Sequence, residues 1–326
     1  MMPYIVADIG GTNARFALAT DSGLAAGGFR IHDYWSQPSK NFLGLKEAFN
    51  AFMSSLSGVK PQAACLSVAG PVITDEVKLT NLEWQFSISQ LTQDMQLDNL
   101  HVINDFTALA FCLPHLDASC IRTLNEGQPN SQYPSAIIGP GTGFGVAGIM
   151  PVQNGWQLID GDGGHVSFAP NSLLEIEVLK VLMRDKGRVS VENVSSGQGL
   201  INLYCALAVV RGESASDFVA ADILPRALSG EDALCESALT MFCSILGSVA
   251  GDVALMMRPQ AGLFLGGGIL PRMEQFLFDS PFLENYLNKQ PMRQLVADIP
   301  VHMLKTDNAA LIGAAAYLDT EMKKHF

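Results

Sequence analysis

Asp8-Ile-Gly-Gly-Thr-Asn-Ala-Arg15 is the stretch on which the rest of the chain is organised. An apolar run, Tyr4 to Ala7, reads as a buried strand ending in an acid. Gly10 and Gly11 permit a tight turn with the backbone open to approach, Thr12-Asn13 follows, and Phe16 to Ala19 supplies a second strand. Two readings fit this stretch by itself. One is a structural hairpin with Asn13 in the turn. The other is a phosphate site, in which exposed amides and the Thr12 hydroxyl hold the anion and Asp8 holds a hydrated Mg²⁺ beside it.

Outward from that hairpin the chain alternates. Gly27 to His32 reads as a third strand, Asn41 to Leu56 as an amphipathic helix, and Ala63 to Val68 as a buried strand closed by Ala69-Gly-Pro71. Val77 to Asn81 reads as a short strand, and Ser87 as the N-cap of a helix carrying Ile88, Leu91 and Met95. Leu100 to Ile103 is a strand ending in Asn104-Asp105, with a helix from Phe106 to Leu113. Strands interleaved with helices in this order specify an α/β protein. A polar stretch, Asn125 to Pro134, reads as a boundary zone.

The opening pattern then recurs. Ala136 to Gly139 is a strand, Gly141-Thr142-Gly143 a turn, and Phe144 to Met150 a second strand, which points to a duplicated architecture. Asn154-Gly155 reads as a hairpin turn, followed by a strand from Trp156 to Ile159. Ser172 with Glu175 has the spacing of a capping box for a helix over Leu173 to Met183, and helices dominate as far as Met257. Leu263 to Leu265 and Ile299 to Leu304 close the set of strands, and Asn308 to Leu318 is an Ala-rich helix. Gly313 lies in its interior, where glycine costs helix stability, so close packing of helices is its expected use.

Composition bounds the function. The chain has 326 residues, 48% apolar and 16% charged, with 20 Lys and Arg against 32 Asp and Glu, a formal charge of −12. That suits one large or two medium domains and disfavours a general nucleic-acid binder. The six cysteines form no CxxC pair, as in a protein of a reducing compartment. Asp8 interrupts the N-terminal apolar run and no basic segment precedes it, so no signal peptide is expected. The apolar stretch near Ser237 to Gly251 reads as a core helix, and a cytoplasmic protein with no membrane partner is expected.

Three glycine-rich turns follow apolar strands: Gly10-Gly11, Gly139 to Gly145 and Gly266 to Gly268. Ligands of α/β folds bind beyond strand C-termini, where these turns lie. No GxxxxGK[ST] occurs, and the GxGxxG at Gly143, Gly145 and Gly148 falls on a strand rather than opening a helix, so neither a Walker nor a Rossmann site is read. Asn104-Asp105 reads as a helix N-cap or, functionally, as a general base that takes a hydroxyl proton during phosphoryl transfer. Gly161-Asp-Gly-Gly-His165, with Glu192 and Asn81, reads as a flexible turn or as a polar cup for sugar hydroxyls.

Taken together, Asp8 to Arg15, Ile103-Asn-Asp-Phe106, Gly139 to Gly145, Gly164-His165 with Phe168-Ala-Pro170, and Gly266-Gly-Gly-Ile269 resemble the bacterial glucokinases of the non-ROK group, within the hexokinase-type, actin-like ATPases. The resemblance runs nearly end to end and in the family's order. It implies two RNase H-like domains flanking a cleft: residues 1–114 completed by 306–326, and residues 115–305. It implies ATP-dependent phosphorylation of D-glucose, with Asp105 as base and Asn81, Asn104, Asp105, Asp162, His165 and Glu192 around the sugar. Gly10, Gly11, Thr12, Asn13, Gly141, Thr142 and Gly143 would hold ATP phosphates, Gly266, Gly267 and Gly268 would pack near the adenosine, and Asp8 would lie near Mg²⁺, through water. Members of the group are commonly homodimers. One position departs: Asp162 stands where the family usually has Glu, shorter by one methylene, roughly 1.5 Å of reach. That opens a second reading as a kinase for another hexose or an N-acetylated amino sugar. A third is a sugar-sensing non-enzymatic protein on the same fold. The zinc-binding ROK branch is disfavoured because its cysteine cluster is missing.

Overall fold

The computed structural model describes residues 3–22, 28–58, 61–79, 82–153 and 155–324. Gly27, Asn81 and Asn154, on which expectations fall, lie outside the described residues. The first sheet is built from β1 (Tyr4–Ile9), β2 (Asn13–Asp21), β3 (Phe29–Pro38), β4 (Ala63–Val68) and a later strand, Asn99–Asn104. α1 (Leu45–Ser55) precedes β4. A small hairpin, β5 (Glu76–Lys78) and β6 (Gln85–Ser87), leads into α2 (Ile88–Asp94), with Ser87 Oγ accepting from Gln90 N at 3.1 Å as its cap. Asn99–Asn104 is β7, and α3 (Asp105–Cys112) follows without an intervening loop. The sheet order is β3-β2-β1-β4-β7, with β1 antiparallel to β2 and parallel to β4.

The second sheet repeats that plan. Its strands are β8 (Ile121–Asn125), β9 (Ser135–Pro140), β10 (Phe144–Val152), β11 (Gly155–Ile159), β12 (Gly262–Leu265) and β13 (Val301–Leu304), in the order β11-β10-β9-β12-β13-β8. β9 is antiparallel to β10 and parallel to β12, as β1 is to its two neighbours. The duplication read from two glycine turns is therefore present in the topology of both sheets. Phe144 to Gly148 lies within β10, which disposes of a Rossmann site there.

Between β11 and β12 come α4 (Leu173–Lys186), α5 (Gly197–Arg211), α6 (Ala220–Ser229) and α7 (Ala233–Met257). Ser172 Oγ accepts from Glu175 N at 3.2 Å, while Glu175 Oε2 reaches back to Asn171 N at 2.6 Å, one residue beyond the cap. α7 is long and apolar enough by composition to cross a membrane, but 72% of its most apolar window is buried in the protein, as a core helix requires. After β12, the short helices α8 (Glu274–Asp279), α9 (Phe282–Leu287) and α10 (Arg293–Ala297) precede β13, and α11 (Ala309–Lys323) ends the described chain.

The chain divides into two compact units. One comprises residues 1–118, 152–158 and 306–326, and the other 119–151 and 159–305. In the first, one face of the sheet packs Phe16, Phe49 and Phe52 with Leu66, and the other packs Val6, Cys65 and Ile103 under α3 and α11. In the second, α7 contributes Leu239, Phe242 and Leu246 to a core that also takes Ile138 and Leu265 from the sheet.

Candidate active site

In the first unit, the β1–β2 hairpin places Asp8 opposite Arg15 in register, and Arg15 Nη1 donates to Asp8 Oδ2 at 3.1 Å. Burial pushes the Asp8 carboxyl up, and the Arg15 charge opposes that shift. The turn between the strands is held from behind by the buried Ser39. Its N–H donates to Thr12 O at 2.9 Å and its Oγ to Gly10 O at 2.9 Å, while Gly11 and Thr12 remain exposed. These same bonds explain why α1 starts at Leu45 rather than Asn41: Ser39–Asn41 is committed to a 3₁₀ turn against the hairpin.

Asn104 and Asp105 divide two roles between them. Asn104 is the N-cap of α3, with Oδ1 accepting from Phe106 N at 2.8 Å and Nδ2 donating to Gly70 O at 3.1 Å. Asp105 is therefore not needed as the cap, although its Oδ1 also accepts from Phe106 N, at 3.0 Å. Burial, with the negative charge of Asp8 adding to it, raises the Asp105 pKa to about 6 against the pull of the Phe106 amide. A carboxylate so poised is mostly ionised at neutral pH and still basic enough to take a proton. Ser67, paired with Asp8 in the β1–β4 register, keeps a fully buried Oγ with no hydrogen-bond partner.

In the second unit, the corresponding turn is tied to two neighbours. Gly141 N donates to Gly143 O at 2.8 Å, and Gly197 N, the first residue of α5, donates to Gly141 O at 2.9 Å. A helix N-terminus beside a glycine turn is a site for anions. Gly139 and Gly267 interlock the turn with the one after β12: Cβ atoms there would collide with the Gly266 and Pro140 carbonyls, and Gly267 has φ +91°. Glu192 joins the turn to the Gly161–His165 segment. Its Oε2 accepts from Phe144 N at 3.0 Å and its N–H donates to Gly164 O at 2.9 Å. A Cβ on Gly143 would lie 2.6 Å from Glu192 Oε2, so only glycine lets the carboxylate reach Phe144 N. His165 N donates to Asp162 O at 2.9 Å, Arg188 Nη1 donates to His165 O at 2.8 Å, and the side chains of Asp162 and His165 stay exposed.

The structure thus gathers Asp8, Gly10 to Asn13, Asn104 and Asp105 in one unit, and Gly141 to Gly143, Glu192, Asp162, His165 and Gly266 to Gly268 in the other. Asn81 falls outside the described residues. Three participants carried no role in the sequence reading. Arg15 was visible as the cation at the end of the opening motif. The start of α5 was visible only as Gly197-Gln-Gly199, its contact with Gly141 being tertiary. Ser67 left no signal, since a serine inside an apolar strand is unremarked until its neighbours are known.

The family model described as Glucokinase matches residues 5–321. A glucokinase of Saccharophagus degradans is 41% identical over 319 residues, covering 98% of this chain and 99% of the relative. Among solved structures, a glucokinase from an Antarctic psychrotroph matches with a TM-score of 0.91 at 42% identity, covering 98% of this chain and 99% of that one. A ROK family glucokinase from Streptomyces griseus, solved with glucose and AMPPNP, matches with a TM-score of 0.63 at 19% identity over 97% of this chain and 99% of that one, a likeness of fold alone. These neighbours give the α/β architecture its place among the actin-like ATPase folds.

Proposed function

We propose, from the premise that this chain belongs to the glucokinase family, that it is the enzyme that transfers the terminal phosphoryl group of ATP to the 6-hydroxyl of D-glucose. The observation that carries the assignment to residues is Asp105, a buried carboxylate at the first turn of α3, freed from capping by Asn104 and with its pKa raised to about 6. In this reading Asp105 accepts the proton of the attacking hydroxyl as that oxygen bonds to phosphorus and ADP leaves. Asn104, Asp162, His165 and Glu192 orient the sugar through its hydroxyls, with Asn81 as a further contact. Gly10 to Asn13 and Gly141 to Gly143 hold the phosphates, the second turn aided by the N-terminus of α5, and Gly266 to Gly268 lie by the adenosine.

The residues present suit Mg²⁺. Asp8 supplies one carboxylate, the orphaned Ser67 hydroxyl lies beside it in register, and the described residues hold no cluster of three or more His, Cys, Asp or Glu. That suits an ion that keeps several waters and takes its remaining ligands from phosphate. Asp8 would hold it, through water, and the ion would neutralise charge on the phosphates. The six cysteines are all free, which supports a cytoplasmic setting. We also place the enzyme as a homodimer. α4 exposes Leu173, 83% accessible, with Ile176 and Met183 on the same side of the helix, an apolar face that pairing would cover, and light scattering should return twice the chain mass.

The deciding experiment is ADP release coupled to a reporter, run across glucose, mannose, fructose, N-acetylglucosamine and N-acetylmannosamine. Glucose is expected to give the highest kcat/KM. Preference for an N-acetylated sugar would transfer the assignment to an amino-sugar kinase, and ADP release without any sugar would favour an ATPase of another role. The exposed Asp162 is the position to probe for sugar choice. Asp162→Glu restores a methylene of reach, and the expected result is a glucose KM lower by about threefold with kcat unchanged, as for one added uncrowded hydrogen bond.

A further inference from the structure

The second unit encloses a cavity of about 250 Å³ whose wall contains none of the residues assigned above to sugar, nucleotide or metal. Two segments share most of the wall: Asp160, Gly161, Gly163 and Val166 to Ala169 from the loop after β11, and residues between Ile245 and Met257 from the C-terminal half of α7. Its interior is apolar, made by Val146, Ile245, Val249 and Val253. A dry apolar cavity of ~150 Å³ is enough to hold a benzene-sized molecule, so this one has room for a six-membered ring with a short substituent.

The wall carries two carboxylates, Asp252 and Asp160, and two serine hydroxyls, Ser248 and Ser167. Asp252 Oδ1 takes Lys289 Nζ at 2.6 Å, and the Asp252 side chain remains 46% exposed. Ser248 Oγ is already occupied, accepting from Asn171 Nδ2 at 2.6 Å and from Lys289 Nζ at 3.2 Å. Asp160 is exposed, and its Oδ1 accepts from Gly161 N at 2.9 Å. Two carboxylates stand against one ammonium, that of Lys289, whose side chain is 9% exposed and which is already engaged. The polar part of the wall is therefore net negative. Its complement is a compact apolar body carrying a cationic head.

We propose that this cavity is a second small-molecule site, one that takes a small primary amine with an apolar ring or branched body, the ammonium on Asp252 and Asp160 and the body among the α7 valines. The site adjoins the segment that carries Asp162 and His165. A Cβ on Gly163 would fall 2.5 Å from Val146 Cγ2, so the segment rests directly on a cavity residue. An occupant braces that segment from behind and pre-orders it, and the glucose KM falls as a result. This second half rests on the reading of Asp162 and His165 as sugar residues; the site itself does not.

The test uses the whole enzyme labelled with ¹³C at methionine methyls, because Met256 and Met257 both line the cavity. Cyclohexylamine is titrated at pH 7.5, with cyclohexanecarboxylate as the matched anion. The expected result is a saturable shift of both methyls, half-complete at or below about 1 mM, with the anion at least about tenfold weaker. Val249→Phe fills the cavity and should abolish the shift. If that variant does not fold, Met256→Trp covers the opening from a position that is 71% exposed, with Met257 left as reporter. No saturable shift, or an anion that binds as well as the amine, overturns the site. With the amine bound, the glucose KM should fall about twofold to threefold at constant kcat. A bound amine with an unchanged KM overturns the coupling. Failure to phosphorylate glucose at all would be a failure of the function reading, and would leave the methyl shifts as they are.

Discussion

Asp105→Asn is expected to lower kcat by about 10²–10⁴-fold while the dissociation constant for glucose changes by less than about threefold. The amide keeps the size of the carboxylate and an acceptor for Phe106 N, which Asp105 Oδ1 engages at 3.0 Å, but it cannot take a proton at neutral pH. The fold of α3 is protected in this variant because Asn104, not Asp105, is the cap. In the parent enzyme, activity should rise through pH 6 and then level, since the pKa of Asp105 is about 6 and the base must be ionised. The stability of the same variant supplies an independent check, and the sign follows from linkage. The folded pKa of Asp105 lies above its usual value near 3.8, so the folded protein binds the extra proton between those values. Stability from this group is fully present below about pH 4 and is lost as pH rises through 6. At pH 7 the buried charge costs on the order of 2 kcal/mol, discounted for its residual exposure. Asp105→Asn should therefore be more stable than the parent at pH 7, and the two should converge near pH 4. Near-normal turnover would remove Asp105 from the chemistry. A variant no more stable than the parent at pH 7 would show that the carboxylate is less desolvated than its setting implies.

Most of the architecture was legible because its strands announce themselves: β1, β4, β9 and β12 are largely buried apolar runs followed within two residues by a glycine, and β7 closes on Val102-Ile103-Asn104. What escaped was structure created by pairing. β8, Ile-Arg-Thr-Leu-Asn, has no alternation and no fully buried residue, and it becomes a strand because β13 offers it an antiparallel edge. The polar stretch after it has the composition of a boundary, and Gln128 N donates to Asp298 O and Asn130 N to Gln260 O, which tie that segment into the second unit. α11 runs to Lys323, past the expected end at Leu318, and the Asp319–Lys323 ion pair lies on its last turns. The site divides in the same way. Its glycine turns and acids are local and readable. The bonds that give them function join residues far apart in sequence: Ser39 to the first turn, Gly197 to the second, and Glu192 to Phe144. For Asp105 the residue type was readable, but the raised pKa was not, because it depends on burial and on Asp8, two strands away in the sheet.

Gly313 tests whether the chemistry depends on a contact outside the site. It lies in the interior of α11, whose buried face carries Leu311, Ala314, Ala315 and Leu318. A Cβ at this position would overlap Ala108 O, far inside van der Waals contact, and would lie 2.6 Å from Ala108 C and 3.1 Å from Cys112 N. All three atoms are backbone of α3, so no rotamer change can make room and the two helices must separate. In an ordinary helix interior Gly→Ala gains about 1 kcal/mol. Here the sign should reverse: Gly313→Ala is expected to lose about 2–3 kcal/mol, and Gly313→Val more, read as a fall in denaturation midpoint. The effect should reach catalysis because α3 begins at Asp105. Shifting the base by about 1 Å costs up to ~10²-fold in kcat, so the folded fraction of Gly313→Ala should turn over more slowly even after correction for lost protein. Ala316→Gly on the same helix serves as the control. Ala316 is buried, and truncating it should lower stability by about 1 kcal/mol with little change in kcat, because it loosens α11 without pushing on α3. If Gly313→Ala instead raised the denaturation midpoint, the close approach of α11 to α3 would be wrong. If it lowered stability but left the kcat of the folded enzyme unchanged, α3 would hold Asp105 independently of the helix packed against it.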